Sequence, residues 1–234
     1  EKTMYSFEEL GLLPDADIES IAVGKAGFQG KSEHRGLAIR QGGIIHVFTY
    51  NPATNYIGID PRDTSTYVGH WIIEFSAEEM GATKFGVGSN VAFANNNPDT
   101  LTVAVHKEED FINKAKIALL TCNTYTENSV KKGRVYKELS DDTDIALTIC
   151  KFSPNDNYIV GNSGRDSSII AVNPNGNYTY RSYDVKNITY ATPITVFDND
   201  TKCIIAGSIY NLSLVNNRPT LETISTIDLG TARR

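Results

Sequence analysis

Cysteine is scarce in this chain. Cys122, Cys150 and Cys203 are the three in 234 residues, and no two of them form a Cys-x-x-Cys pair. That spacing argues against a disulfide framework. Each cysteine lies in an apolar, strand-like run, so buried free thiols are expected, and the odd count favours a cytoplasmic or virion setting over a disulfide-rich secreted one. Long hydrophobic runs are missing as well. None approaches the roughly 18 apolar residues that cross a bilayer, so no membrane span is expected. Glu1 is not followed by the charged start and apolar core of a signal peptide, although a mature or excised chain would begin the same way.

Positive charge is in deficit. Lys and Arg number 22 against 28 Asp and Glu, a formal net charge of −6, which gives no general field for a phosphate backbone. General nucleic-acid binding is therefore not expected. The clearest basic group, Lys131, Lys132 and Arg134 around Gly133, reads as solvated charge at a hairpin turn. The four histidines, His34, His46, His70 and His106, show no ligand spacing such as His-x-x-x-His. No local trio of nucleophile, histidine and acid stands out either. The glycines of residues 24–30 lack the Gly-Lys-Ser/Thr ending of a phosphate loop, and no long helix follows them; a flexible inter-strand loop is expected there. Acidic groups at residues 108–110, 141–144 and 198–200 lack the full calcium-loop pattern, with Asp198 and Asp200 the nearest to ligands. No metal and no cofactor is expected.

Short runs rich in Val, Ile, Thr, Tyr and Phe dominate instead, punctuated by Gly, Asn, Asp and Pro, which is strand-and-turn grammar. Ser6 and Glu9 have capping-box spacing, so a single helical turn is expected before Pro14. Residues 1–17 read as an N-terminal appendage and 18–234 as one all-β domain. Four units of four strands fit the length. The first uses 18–24, 36–41, 44–51 and 71–76, with Gln41-Gly42-Gly43 as a tight hairpin. The second uses 90–94, 100–106, 116–123 and 134–139, the third 145–152, 158–161, 168–172 and 178–183, and the fourth 194–197, 203–207, 209–215 and 221–227. Residues 60–80 and 108–114 can be drawn as loop or strand.

Three of these units share a motif. An apolar run ends in Phe93, Phe152 or Phe197, an Asx-rich turn follows, and another apolar run begins. Asn and Asp suit such turns because they tolerate left-handed backbone and bond nearby amides. A repeat of about 45 residues is the length of a propeller blade. The expected fold is thus all-β, a β-propeller-like array of about four four-stranded antiparallel units, with a β-sandwich or barrel as the alternative.

Residues 152–173 resemble a WD-type propeller repeat. Phe152-Ser153-Pro154-Asn155 is similar to that family's Phe-Ser-Pro-Asp turn, Gly161-Asn162-Ser163 to its Gly-Ser step, and Asp166 to the Asp that steadies its turn. Val172-Asn173 stands where the family has Trp-Asp. No Gly-His pair precedes the blade and Trp71 is the chain's one tryptophan, so the resemblance implies a blade and covers about a tenth of the chain.

The functional expectation is a non-enzymatic structural or protein-interaction module, a subunit of a larger assembly such as a virion or phage tail by analogy. Its partners would be other proteins or copies of itself. Tyr178, Tyr180, Arg181 and Tyr183 on a predicted outer strand are the candidate interface, because aromatic and Arg side chains anchor interfaces and also stack on sugars. A carbohydrate or cell-surface binding module is the alternative, and a propeller hydrolase whose acids converge from several blades the second.

Overall fold

The computed structural model describes residues 4–63, 67–80, 91–109, 112–140, 149–163, 166–172, 178–184 and 194–226. They form four antiparallel sheets, each built from consecutive strands. Sheet 1 holds β1 (Ser20–Ala26), β2 (Arg35–Gln41) and β3 (Ile44–Asn51), with β4 (Tyr56–Ile57) and β5 (His70–Glu74) end to end along the outer side of β3. Sheet 2 holds β6 (Val91–Phe93), β7 (Thr100–Glu109), β8 (Ile112–Glu127) and β9 (Val130–Leu139). Sheet 3 holds β10 (Ile149–Phe152), β11 (Tyr158–Ser163), β12 (Asp166–Val172) and β13 (Tyr178–Asp184). Sheet 4 holds β14 (Ile194–Phe197), β15 (Lys202–Ile205), β16 (Ser208–Val215) and β17 (Arg218–Thr226). The fold is all-β, a propeller-like array of four units.

The core lies between the sheets. Phe28, Ala38, Ile45, Val47, Trp71 and Ile73 meet Val91, Val103, Leu120 and Cys122 between sheets 1 and 2. Ala104 and Ile117 meet Cys150, Phe152, Ile159 and Ile170 between sheets 2 and 3. Val160 and Ile169 meet Ile194, Val196, Cys203 and Ile205 between sheets 3 and 4. Ile159 and Val160 are neighbours on β11 and point to opposite faces, so both faces of sheet 3 are buried. This is why β11 and β12 read as continuous apolar runs and not as alternation. Among the described residues, no buried cluster joins sheet 1 to sheet 4. The three cysteines are free and buried. Burial pushes the thiols of Cys150 and Cys203 up to about 12.

The repeated Asx turn joins the sheets. On sheet 4, buried Asp200 accepts from Ser153 Oγ at 2.7 Å, from the Asn155 amide at 3.2 Å, and from the amide and side chain of Asn157 at 3.3 and 3.1 Å. On sheet 3, Asp156 accepts from the amides of Asn95 and Asn96 at 2.7 and 2.6 Å. On sheet 2, Asp99 accepts from the Gln29 amide at 2.6 Å, while Gln29 Nε2 donates to Cys122 O. In all three cases a carboxylate holds the corresponding turn of the preceding sheet. Asp198 pairs instead with Lys202 at 2.6 Å. Asp198 and Asp200 therefore serve different partners and do not converge as ligands.

The outer face of sheet 1 has its own small cluster of Leu12, Leu37, Ile39 and Phe48. Residues 1–17, expected as an appendage, supply Leu12 to it. The capping box of Ser6 and Glu9 opens the single-turn α1 (Phe7–Leu10), and Gly11 ends it at φ 67°. Gln41, buried, then ties the segment down by bonding Leu13 N, Leu13 O and Ala16 O at 2.8 to 2.9 Å. No helix among the described residues is long and apolar enough to cross a membrane.

Two expectations need correcting. Lys131, Lys132 and Arg134 lie in β9 and not at a turn; the hairpin sits one step earlier, at Asn128 and Ser129, with φ of 50° and 65°. The loop of residues 24–30 is packed, because Phe28 is fully buried against Trp71. The acidic group at residues 141–144 lies outside the described residues.

Candidate functional site

The site is built on β5, the outermost strand of sheet 1 over residues 70–74. It pairs with β3 from Ile44 opposite Glu74 to Phe48 opposite His70. Thr49 N donates to Gly69 O and Phe75 N to Gly43 O, both at 3.0 Å. Bonded and non-bonded pairs alternate in an antiparallel ladder, so these two bonds set its phase. Trp71 and Ile73 turn their backbone groups toward β3, and His70, Ile72 and Glu74 turn theirs to the open edge. Among the described residues no strand pairs with that edge.

Side chains alternate in the same way. Trp71 and Ile73 are each 3% exposed and enter the core facing sheet 2. The Trp71 ring meets Phe28 edge-on at 5.4 Å, and its Nε1 donates to Asn123 O at 3.2 Å. On the opposite face, two cross-strand rows run Ile21, Ile39, His46, Ile72 and Val23, Leu37, Phe48, His70. His46 thus points away from its neighbours Ile45 and Val47, as its place in the alternation predicts.

His70 stacks on Phe48 with ring centroids 4.3 Å apart, and its Nε2 lies 3.0 Å from His46 Nδ1. Burial, with the neighbouring His46 adding to it, lowers His70 to about 4, and burial also lowers His46. At neutral pH both rings are uncharged and one donates to the other. A histidine whose folded value is depressed contributes stability above its unfolded value, near 6.5, and loses it as pH falls toward the folded value. The unfolding free energy is therefore expected to drop by about 2 kcal/mol between pH 7 and pH 5 from His70 alone. Urea titrations at the two pH values check this, and His70→Phe should flatten the difference.

Two cavities meet at His70. One, of about 580 Å³, lies between α1 and the outer face of sheet 1, with Tyr5, Glu8, Glu9, Phe48 and His70 in its wall. The other, of about 480 Å³, is a groove along the β5 edge, closed on its far side by Gly133, Val135 and Lys137 of β9. Lys137 Nζ donates to Glu74 O at 2.9 Å, pairs with Glu79 at 2.6 Å, and lies 4.9 Å over the Phe75 ring. Gly133 is required by closeness, since a Cβ there would come within 2.7 Å of Trp71 Nε1.

Tyr178, Tyr180, Arg181 and Tyr183 fall on β13, the outermost strand of sheet 3, with Tyr180 opposite Ile170 and Arg181 opposite Ile169. The structure places them on a different sheet from the β5 groove. The groove itself is not marked in the sequence by any motif. Its one signal is the alternation of residues 70–74 beside an otherwise unexplained Gly133.

No protein-family model and no curated protein matches the chain. Among solved structures it is similar to Sqt1 of Chaetomium thermophilum, a WD40 β-propeller protein. With Sqt1 bound to the N-terminus of the ribosomal protein L10, the TM-score is 0.43 at 11% identity, covering 90% of this chain and 52% of that one. A second Sqt1 structure gives 0.42 at 11% identity, with 90% and 49% covered. The chain spans about half the length of these proteins.

Proposed function

We propose that this chain is a non-enzymatic protein-interaction module, one subunit of a larger assembly, whose neighbour covers the outer face of sheet 1. The observation that carries the reading is the exposure of Ile21 at 58%, Val23 at 52% and Ile72 at 55% on that face. Within the array the same face of a first strand is buried by the preceding sheet, as Cys150 and Phe152 of β10 are in sheet 3. An apolar face left open on a monomer marks an interaction site. The non-enzymatic part is supported by what the acids do, since Asp99, Asp156 and Asp200 are all occupied by groups of the neighbouring sheet. The β13 strand with Tyr178, Tyr180, Arg181 and Tyr183 is proposed as a second contact surface.

Light scattering over a range of concentrations tests this. The expected mass is a multiple of the 25.7 kDa chain, returning to the monomer in an Ile21→Lys, Val23→Lys double variant. A 25.7 kDa mass at every concentration, unchanged by the double substitution, overturns the reading.

A further inference from the structure

We infer that the open edge of β5 receives an extended peptide whose residues alternate between acidic and apolar, added as a further strand to sheet 1. The inference rests on the interaction-module reading and names a different partner, at the strand edge that adjoins the covered face at Ile72.

Three observations converge on it. The first is the backbone. His70 and Ile72 direct amide and carbonyl groups outward, and only another extended backbone matches that row of donors and acceptors along its length. At Glu74 the outward carbonyl is met by Lys137 Nζ at 2.9 Å, which ends the free row and sets the length of the added strand at four or five residues.

The second is the contrast between edges. Sheets protect exposed edges with charges and prolines. On β9 the edge carries Lys131, Lys132, Arg134, Lys137 and Glu138, and on β17 it carries Arg218, Pro219 and Glu222. The sequence of β5 is His-Trp-Ile-Ile-Glu, and its histidine is uncharged at neutral pH. Of these three strands β5 is the least guarded, with Glu74 as its one charge at neutral pH and no proline.

The third is the groove. It runs along residues 70–74 and has Lys137 in its far wall, with Lys131 on the same side of β9 two positions beyond Gly133. An added strand has two faces. One faces this lysine side and takes acidic side chains, which compete with Glu79 for Lys137. The other continues the row that ends at Ile72 and takes apolar ones.

The test uses the full chain and a fluorescein-labelled seven-residue peptide, Glu-Val-Glu-Val-Glu-Val-Glu, followed by anisotropy. Three comparisons carry it. The lysine analogue Lys-Val-Lys-Val-Lys-Val-Lys is expected to bind at least about tenfold more weakly. N-methylation of alternate amides of the acidic peptide, in the phase that faces β5, should lose binding by a similar factor while the other phase does not. Ile72→Pro, which removes an outward amide but no β3 bond, should also lose it. Failure of the acidic peptide to bind, or binding indifferent to methylation phase, overturns the inference, and the methylated probes need no protein variant to fold. Should Ile72→Pro turn an assembly into monomers while the peptide fails to bind, the occupant is a second copy and the peptide assignment is wrong. Failure here leaves the Ile21 and Val23 mass experiment untouched, so the two readings fall separately.

Discussion

Asp200→Ala is expected to lower the unfolding free energy by about 3 kcal/mol, read as a shift in the urea midpoint by circular dichroism. The carboxylate is 5% exposed and accepts from the hydroxyl of Ser153, itself 1% exposed. Hydrogen bonds to an ionised group contribute about 1.5–3 kcal/mol each. The bonds from Asn155 and Asn157 are discounted because those residues are exposed and water replaces the acceptor. Ser153 has no such replacement, and its hydroxyl also accepts from the Tyr158 amide at 3.0 Å. Asp200→Asn keeps the size but turns an NH2 toward a set of donors, so it should recover less than half of the loss. A double-mutant cycle with Ser153→Ala should show coupling of more than about 1 kcal/mol. A loss below about 1 kcal/mol for the alanine variant would mean that the sheets hold together without this carboxylate.

Trp71→Ala carries the larger cost, about 3–5 kcal/mol. The side chain fills the space between sheets 1 and 2, where Phe28 meets it edge-on and Gly133 approaches so closely that no side chain fits. Neighbours fixed in two different sheets cannot collapse into the void. The substitution also leaves the Asn123 carbonyl without its indole donor. Trp71→Phe should recover most of the packing term and none of the hydrogen bond, placing it between the two. Thermal melts of the three proteins order them; an alanine variant within about 1 kcal/mol of the parent would mean that this interface repacks freely.

Much of the fold was legible because strand and turn are local signals. The strands at 44–51 and 194–197 fall on their predicted bounds, and the shared Phe-and-Asx pattern marks the real repeat of the sheets. What could not be read was where side chains go once the sheets stack. Asn and Asp suited the turns locally, but the acceptors Asp99, Asp156 and Asp200 find donors 43 to 70 residues earlier in the chain, and no window of sequence displays that. Gly133 was misleading for a related reason. A glycine among lysines looks like a turn, yet in a strand it also marks close approach of another group, here Trp71 from the neighbouring sheet. Asn128 and Ser129 supply the left-handed turn without any glycine. The β5 groove was hidden likewise, since β5 and β9 belong to different units and meet only once the sheets stack.

The carboxylate holds all run one way, from each sheet back to the one before it. On a ribosome the consequence is a waiting time. When β10 and β11 have emerged, the amides of Asn155 and Asn157 still lack their acceptor, which arrives 45 and 43 residues later. Gln29 waits 70 residues for Asp99. At roughly 5–20 residues per second of synthesis, each turn spends seconds exposed to water before the next sheet secures it. The nascent protein is therefore stitched shut from behind, each sheet secured only when the one after it follows.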